Sequence, residues 1–235
     1  MPQEIKITKT HYIKDNIKFD RVTSVLDYFS APELVEWRIK NVKSKEISKT
    51  AKAIGTRIHT IIEQFHKIER LAFTPHDSQA VINCGRAYQR WYQIEQPKII
   101  LMEQTVFDNE LGIAGTFDMA TEDCLWDYKT SEQIRANYWL QLAIYNYMTK
   151  EKYRYIGILR LDKLTADYEA VKIEYDKRLA NCFKGLLNYY RYLTNYNLKE
   201  EYNGKDDSAN AKISTRFSIF EPENSGDWAF RNRQE

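Results

Sequence analysis

Between residues 98 and 130 the apolar pattern of this chain stops recurring every three or four residues and starts to alternate, and this change of period limits the fold more than any other feature. Upstream, Ile54, Ile58, Ile61, Ile62, Phe65, Ile68 and Leu71 keep helical spacing, which predicts an amphipathic helix with His59, Glu63 and His66 on its other side. A second helix is expected over 78–94, carrying Val81, Ala87, Tyr88 and Trp91. Then 98–107, 112–120 and 124–130 are β-branched and apolar, separated by the turn-like Asp108-Asn109 and Thr121-Glu122-Asp123, so three consecutive short strands are expected. Helical spacing returns over 135–148, and 153–161 with 168–175 reads as a hairpin. A Tyr-rich helix is expected over 176–196, begun by Asp176 as N-cap. Ahead of all this, 22–37 reads as two short helical pieces interrupted before Pro32. The order α, α, βββ, α, ββ, α predicts one α/β (α+β) domain over 1–197, a central mixed sheet of about five strands flanked by helices. The polar stretch after Asn197, with a short apolar patch at Phe217, Ile219 and Phe220, predicts a linker and loosely docked tail over 198–235.

The longest apolar runs, such as Ile99 to Met102, are far shorter than the roughly 20 residues of a spanning helix, so no membrane partner is expected. The first twenty residues contain Glu4, Asp15 and Asp20 and lack an apolar core, which predicts a cytoplasmic protein, or one of the host cytoplasm if phage-encoded. Cys84, Cys124 and Cys182 have no CxxC spacing, which argues against a disulfide framework or a zinc ribbon; reduced, partly buried thiols are expected. The formal net charge of +2 hides a concentration: Arg38, Lys40, Lys43, Lys45, Lys49, Lys52 and Arg57 face one acid, Glu46, within residues 38–57. Such a segment suits phosphate contacts or a solvated helix face, and its position just before His59 favours the former.

The chemistry lies in GTFDMA and LWDYKT. Asp127 and Lys129 are two apart in a strand, so both side chains leave the same face. Asp118, nine residues before Asp127 across a tight turn, is close enough in a paired hairpin to share space with it. Two packed carboxylates repel unless a cation or proton intervenes, and hard oxygen ligands of this kind suit Mg²⁺ or Mn²⁺. Glu103 on the preceding strand can add an oxygen and His59 a nitrogen. This donor set fits phosphodiester hydrolysis, with Lys129 orienting water or offsetting developing charge. An isolated D-x-K is ordinarily a surface ion pair; the context is what distinguishes this one.

GTRIH (55–59), Glu103, GTFD (115–118), DYK (127–129) and QLAIY (141–145), in this order, resemble the PD-(D/E)XK nuclease superfamily, particularly its RecB-like exonuclease branch. VTSVLDYF with LVEW further resembles the N-terminal motif of phage exonucleases and of the mitochondrial genome maintenance exonuclease. The resemblance implies a restriction-endonuclease-like core, metal ligation by His59, Asp118, Asp127 and the Tyr128 carbonyl, Lys129 as catalytic lysine, Glu103 as a further acid, and Gln141 and Tyr145 as a helical pair at the site. It implies a Mg²⁺- or Mn²⁺-dependent DNA exonuclease acting on single-stranded or frayed ends in phage-type processing or recombination. The alternatives are an endonuclease of the same fold or a non-catalytic nucleic-acid-binding subunit. The four cysteines of cluster-bearing members are not matched, so no iron–sulfur cluster is expected. The resemblance leaves room for a helicase or recombinase as protein partners; with no P-loop present, any motor would have to be a separate protein.

Overall fold

The computed structural model describes residues 5–29 and 40–195. The second helical piece up to Trp37, Arg38 and the expected tail over 198–235 lie outside these residues. The strands are β1 (Lys6–Ile7), β2 (His11–Lys14), β3 (Ile17–Arg21), β4 (Ile99–Asp108), β5 (Ile113–Thr121), β6 (Cys124–Lys129), β7 (Tyr155–Leu161) and β8 (Tyr168–Glu174). The helices are α1 (Val22–Tyr28), α2 (Ser44–Ile68), α3 (Gln79–Glu95), α4 (Ala136–Met148) and α5 (Lys177–Asn195).

All eight strands form one mixed sheet in the order β1-β2-β3-β5-β6-β7-β8, with β4 on the other edge of β5. The five strands read from periodicity are β4 to β8; the N-terminal three are additional. They were legible in principle, because Asp15 and Asn16 both take positive φ (51° and 64°), the conformation a two-residue hairpin turn demands and Asp/Asn tolerate. Helix α1 follows β3 without a loop, so the expected first helical piece packs where β3 delivers it.

Helices cover both faces. On one, Val22, Val25, Leu142, Ile144, Phe183 and Leu187 of α1, α4 and α5 meet Ile113, Phe117, Leu125, Ile156 and Ile158. On the other, Ile58, Ile61, Ile62, Phe65, Val81, Tyr88 and Trp91 of α2 and α3 meet Met119, Trp126, Leu159 and Leu161. Strands β6 and β7 pair in parallel and are buried on both faces, as parallel strands are. Each fully covered aliphatic contributes about 1.5–3 kcal/mol of transfer free energy, so these two clusters account for most of the hydrophobic stabilisation.

Helix α2 starts at Ser44 rather than Ile54 and stops at Ile68 rather than Leu71. Its first turns are helix-forming Lys, Glu and Ala with little apolar periodicity, so spacing alone does not announce them. It stops because Glu69 turns left-handed (φ 56°), its N–H bonding to the Phe65 carbonyl. Asp176 caps α5 as expected, its carboxylate accepting the Arg178 N–H at 2.8 Å. No helix among the described residues is long and apolar enough to cross a membrane.

Candidate active site

The sheet is split where the chemistry sits. Along one edge of β5, β3 pairs at Ile113 and Ala114, and β6 pairs at Met119 and Ala120. Between these pairings lies the GTFD motif. The ring of Tyr145 from α4 lies against the backbone of Gly115, where a Cβ would come within 2.7 Å of its hydroxyl oxygen and 2.8 Å of Cζ. The GTFD glycine is therefore a packing requirement of the helical tyrosine two elements later.

Asp118 is buried, and its Oδ2 accepts the Tyr128 N–H at 2.7 Å. Its Oδ1 lies 3.5 Å from His59 Nδ1, which also lies 3.2 Å from Glu103 Oε1. Glu103 stands opposite Asp118 on β4, flanked by the pairs Met102↔Met119 and Gln104↔Phe117. Its backbone is left-handed (φ 47°), uncommon for a side chain other than glycine, Asn or Asp and costly in mid-strand by about 1–3 kcal/mol. Such local strain persists where surrounding structure imposes it, and here it accompanies a carboxylate turned to His59.

Asp127, 1% exposed, is held from two sides. Gln141 Nε2 donates to Oδ1 at 2.9 Å, and Lys129 Nζ lies 2.5 Å from Oδ2. The second contact is a close ion pair between the ammonium and the buried carboxylate. Lys129 Nζ also donates to Gln141 Oε1 at 3.3 Å and lies 4.8 Å from the centre of the Tyr138 ring. Gln141 thus ties acid and lysine together from α4. Tyr138 was not foreseen; its position three residues before Gln141, on the same helix face, was the available signal.

Burial alone would lower the His59 pKa, but Asp118, Glu103 and Asp127 outweigh it and raise it to about 9. Burial, then Asp127, pushes the Asp118 carboxyl up against the opposing pull of His59 and Lys129. Burial would also lower Lys129, yet Asp127 and Asp118 dominate and keep its ammonium charged. Both shifts, His59 toward its cation and Asp118 toward its acid, express one excess: Glu103, Asp118 and Asp127 against Lys129 leave two negative charges unmatched when His59 is neutral.

The carboxylate and imidazole atoms of His59, Glu103 and Asp118 all lie within 4.8 Å of one another. Hard oxygens with one imidazole, and two negative charges left unmatched when His59 is neutral, fit a divalent cation. The three-group cluster contains Glu103, whereas Asp127 faces Lys129 and Gln141; Tyr128 offers its amide to Asp118.

One sequence expectation is met differently. Arg57 forks onto Asp77 (2.7 and 2.8 Å) and donates to the Ala72 carbonyl, so it staples the loop after α2 instead of presenting its charge to a phosphate. Glu63 pairs with Lys67 at 2.6 Å. His66 lies 2.6 Å from the Tyr88 hydroxyl, a packing role. Lys43, Lys45, Lys49 and Lys52 are exposed. Arg57→Ala is expected to cost about 1 kcal/mol, discounted for the partly exposed guanidinium, and to leave DNA affinity unchanged, as thermal melts and binding titrations would show. The Asp77 carboxyl is held well below its usual range, first by the Arg57 hydrogen bond. This contribution is therefore complete above the unfolded value of about 4 and disappears as pH falls through the folded one, so wild type and variant converge in stability in strong acid.

No family model matches the chain, and no curated protein matches it. Among solved structures it is similar to a candidate exonuclease from Eubacterium rectale, at 16% identity over 76% of this chain and 82% of that one, TM-score 0.50. It is also similar to an alkaline exonuclease from Laribacter hongkongensis (11% identity, 76% and 88% covered, TM-score 0.45). A phage related exonuclease from Haemophilus somnus gives 15% identity, 75% and 95% covered, TM-score 0.40. At these identities the likeness is one of fold, and the Eubacterium rectale structure carries it: a mixed sheet flanked by helices, as the motif resemblance implied.

Proposed function

We propose that this chain is a Mg²⁺- or Mn²⁺-dependent deoxyribonuclease acting as an exonuclease on single-stranded or frayed DNA ends, in phage-type DNA processing or recombination. The observation that carries the reading is the meeting of three carboxylates, one imidazole and one lysine where β5 runs between its pairings with β3 and β6, two negative charges in excess when His59 is neutral. His59, Glu103 and Asp118 would hold the ion, with Asp127 and the Tyr128 carbonyl completing its shell. A divalent ion bound there polarises a phosphodiester and lowers the pKa of a water. Lys129, partly exposed beside Asp127, is placed to orient that water and to offset charge gained by the phosphate. Gln141 keeps Asp127 and Lys129 in register, and Tyr145 fixes α4 against the GTFD strand. Residues 1–197 form one nuclease domain in this reading, with 198–235 as a tail, and Arg38, Lys40, Lys43, Lys45, Lys49 and Lys52 supply the DNA-contacting charge.

End-labelled single- and double-stranded DNA together with closed circles, in Mg²⁺, Mn²⁺ or EDTA, gives the direct test. Ladders that start at a terminus, with circles intact, are expected in either ion and none in EDTA; nicked circles would make the protein an endonuclease, and cleavage indifferent to EDTA would reject the reading. Because an imidazole must lose its proton to bind metal and His59 titrates at about 9, apparent Mn²⁺ affinity is expected to rise with pH, by up to about tenfold per unit below 9. Calorimetric titration at several pH values measures this, and a flat profile would remove His59 from the ligand set.

A further inference from the structure

The first turns of α2 bury almost nothing. Ile58, Ile61, Ile62 and Phe65 anchor its C-terminal half in the core, whereas residues 45–53 are all exposed. These turns display charge: Lys45, Lys49 and Lys52 have no acidic partner among the described residues. Lys45 and Lys49 are four apart and Lys49 and Lys52 three apart, spacings at which like charges weaken a helix. An anionic partner lying along the helix would remove that repulsion.

Their arrangement is directional. Seven residues return an α-helix to nearly the same face, so Lys45, Lys52 and His59 form one row at intervals of about 10 Å, with Lys49 flanking it. The row ends on the imidazole that touches Glu103 and Asp118. The opposite face of the same turns differs: it lines a groove of about 340 Å³ with Ile47, Ala51 and Ile54, together with Lys43 and Lys163.

We propose that the N-terminal half of α2 is a strand-guiding arm, in which Lys45 and Lys52 bind phosphates about one to two nucleotides apart on a single polynucleotide strand and lead it to the carboxylate cluster at His59. This extends the nuclease reading and depends on it for what happens at the end of the row. Lys52 stands about 10 Å and Lys45 about 21 Å along the helix from His59. Duplex DNA advances about 3.4 Å per nucleotide and an extended single strand roughly twice that, so Lys45 is reached by about three nucleotides of single strand or about six of duplex.

Two measurements test this. In EDTA, binding of fluorescein-labelled dT12 is followed by anisotropy over a range of salt for wild type, Lys45→Ala, Lys52→Ala and Lys163→Ala; alanine raises rather than lowers helix propensity, so the arm stays formed. Each of the first two is expected to weaken binding about five- to tenfold and to reduce the salt slope by about 0.7, while Lys163→Ala, on the groove side, does neither. An unchanged slope, or equal losses for Lys163→Ala and Lys52→Ala, would overturn the arm. In Mn²⁺, with dT oligomers of increasing length, the Lys52→Ala defect is expected from about two nucleotides beyond the cut bond and the Lys45→Ala defect from about three or four; onset of the latter near six would overturn the single-strand assignment. If wild type cuts nothing in either metal the nuclease reading fails, and the salt slopes still decide the arm.

Discussion

Lys129→Ala is expected to lower the single-turnover cleavage rate in Mn²⁺ by about a thousandfold or more, because an interaction with charge developing at the phosphate is lost without a substitute. The same change leaves Asp127, 1% exposed, with Gln141 as its remaining side-chain hydrogen-bond partner and without the ammonium that contacts it. Removing one member of a covered ion pair costs about 3 kcal/mol, so metal-free melting at pH 8 should fall, and Mn²⁺ should restore part of the loss by supplying positive charge to the same carboxylates. Rapid-quench kinetics and melting with and without Mn²⁺ separate these effects. A variant that cleaves within tenfold of wild type would remove Lys129 from the chemistry.

Gly115→Ala tests the link between the GTFD strand and α4. The added methyl would stand 2.7–2.8 Å from the hydroxyl oxygen and Cζ of Tyr145, which is 1% exposed. Overpacking of this kind costs about 3 kcal/mol, or roughly 6–12 °C in melting temperature for a chain of this size. Activity should fall at least tenfold even at temperatures where the variant is folded, because Gln141 lies one turn before Tyr145 and any shift of α4 pulls it from Asp127 and Lys129. In the double variant Gly115→Ala with Tyr145→Leu, part of the lost stability should return, since the clash partner is gone. A single variant that melts like wild type would show that the strand accommodates the methyl.

Local patterns made much of this legible. The alternation in CLWDYKT was enough to place Asp127 and Lys129 side by side, because strand period is a property of the backbone. Apolar spacing was enough to find the anchored half of α2, because a stripe that must be buried has to recur at the helical period. Neither pattern reaches the arm, which buries no stripe, or β1 to β3, whose signal is a two-residue turn in a segment without strong alternation. Arg57 read as free charge because Asp77, twenty residues away, becomes its partner only when the loop after α2 folds back.

The residue types and their order therefore determined which chemistry the chain can support: hard-metal ligands, a lysine two residues from an acid, and a basic run ahead of a histidine. Only tertiary structure decided how those groups are shared. It set Glu103 opposite Asp118 through a left-handed residue, gave Asp127 to Lys129 and Gln141, and turned Arg57 away from the site. The physical reason is range: periodicity and turn chemistry act over a few residues, whereas the partner of a buried charge is whatever long-range packing brings within a few ångströms.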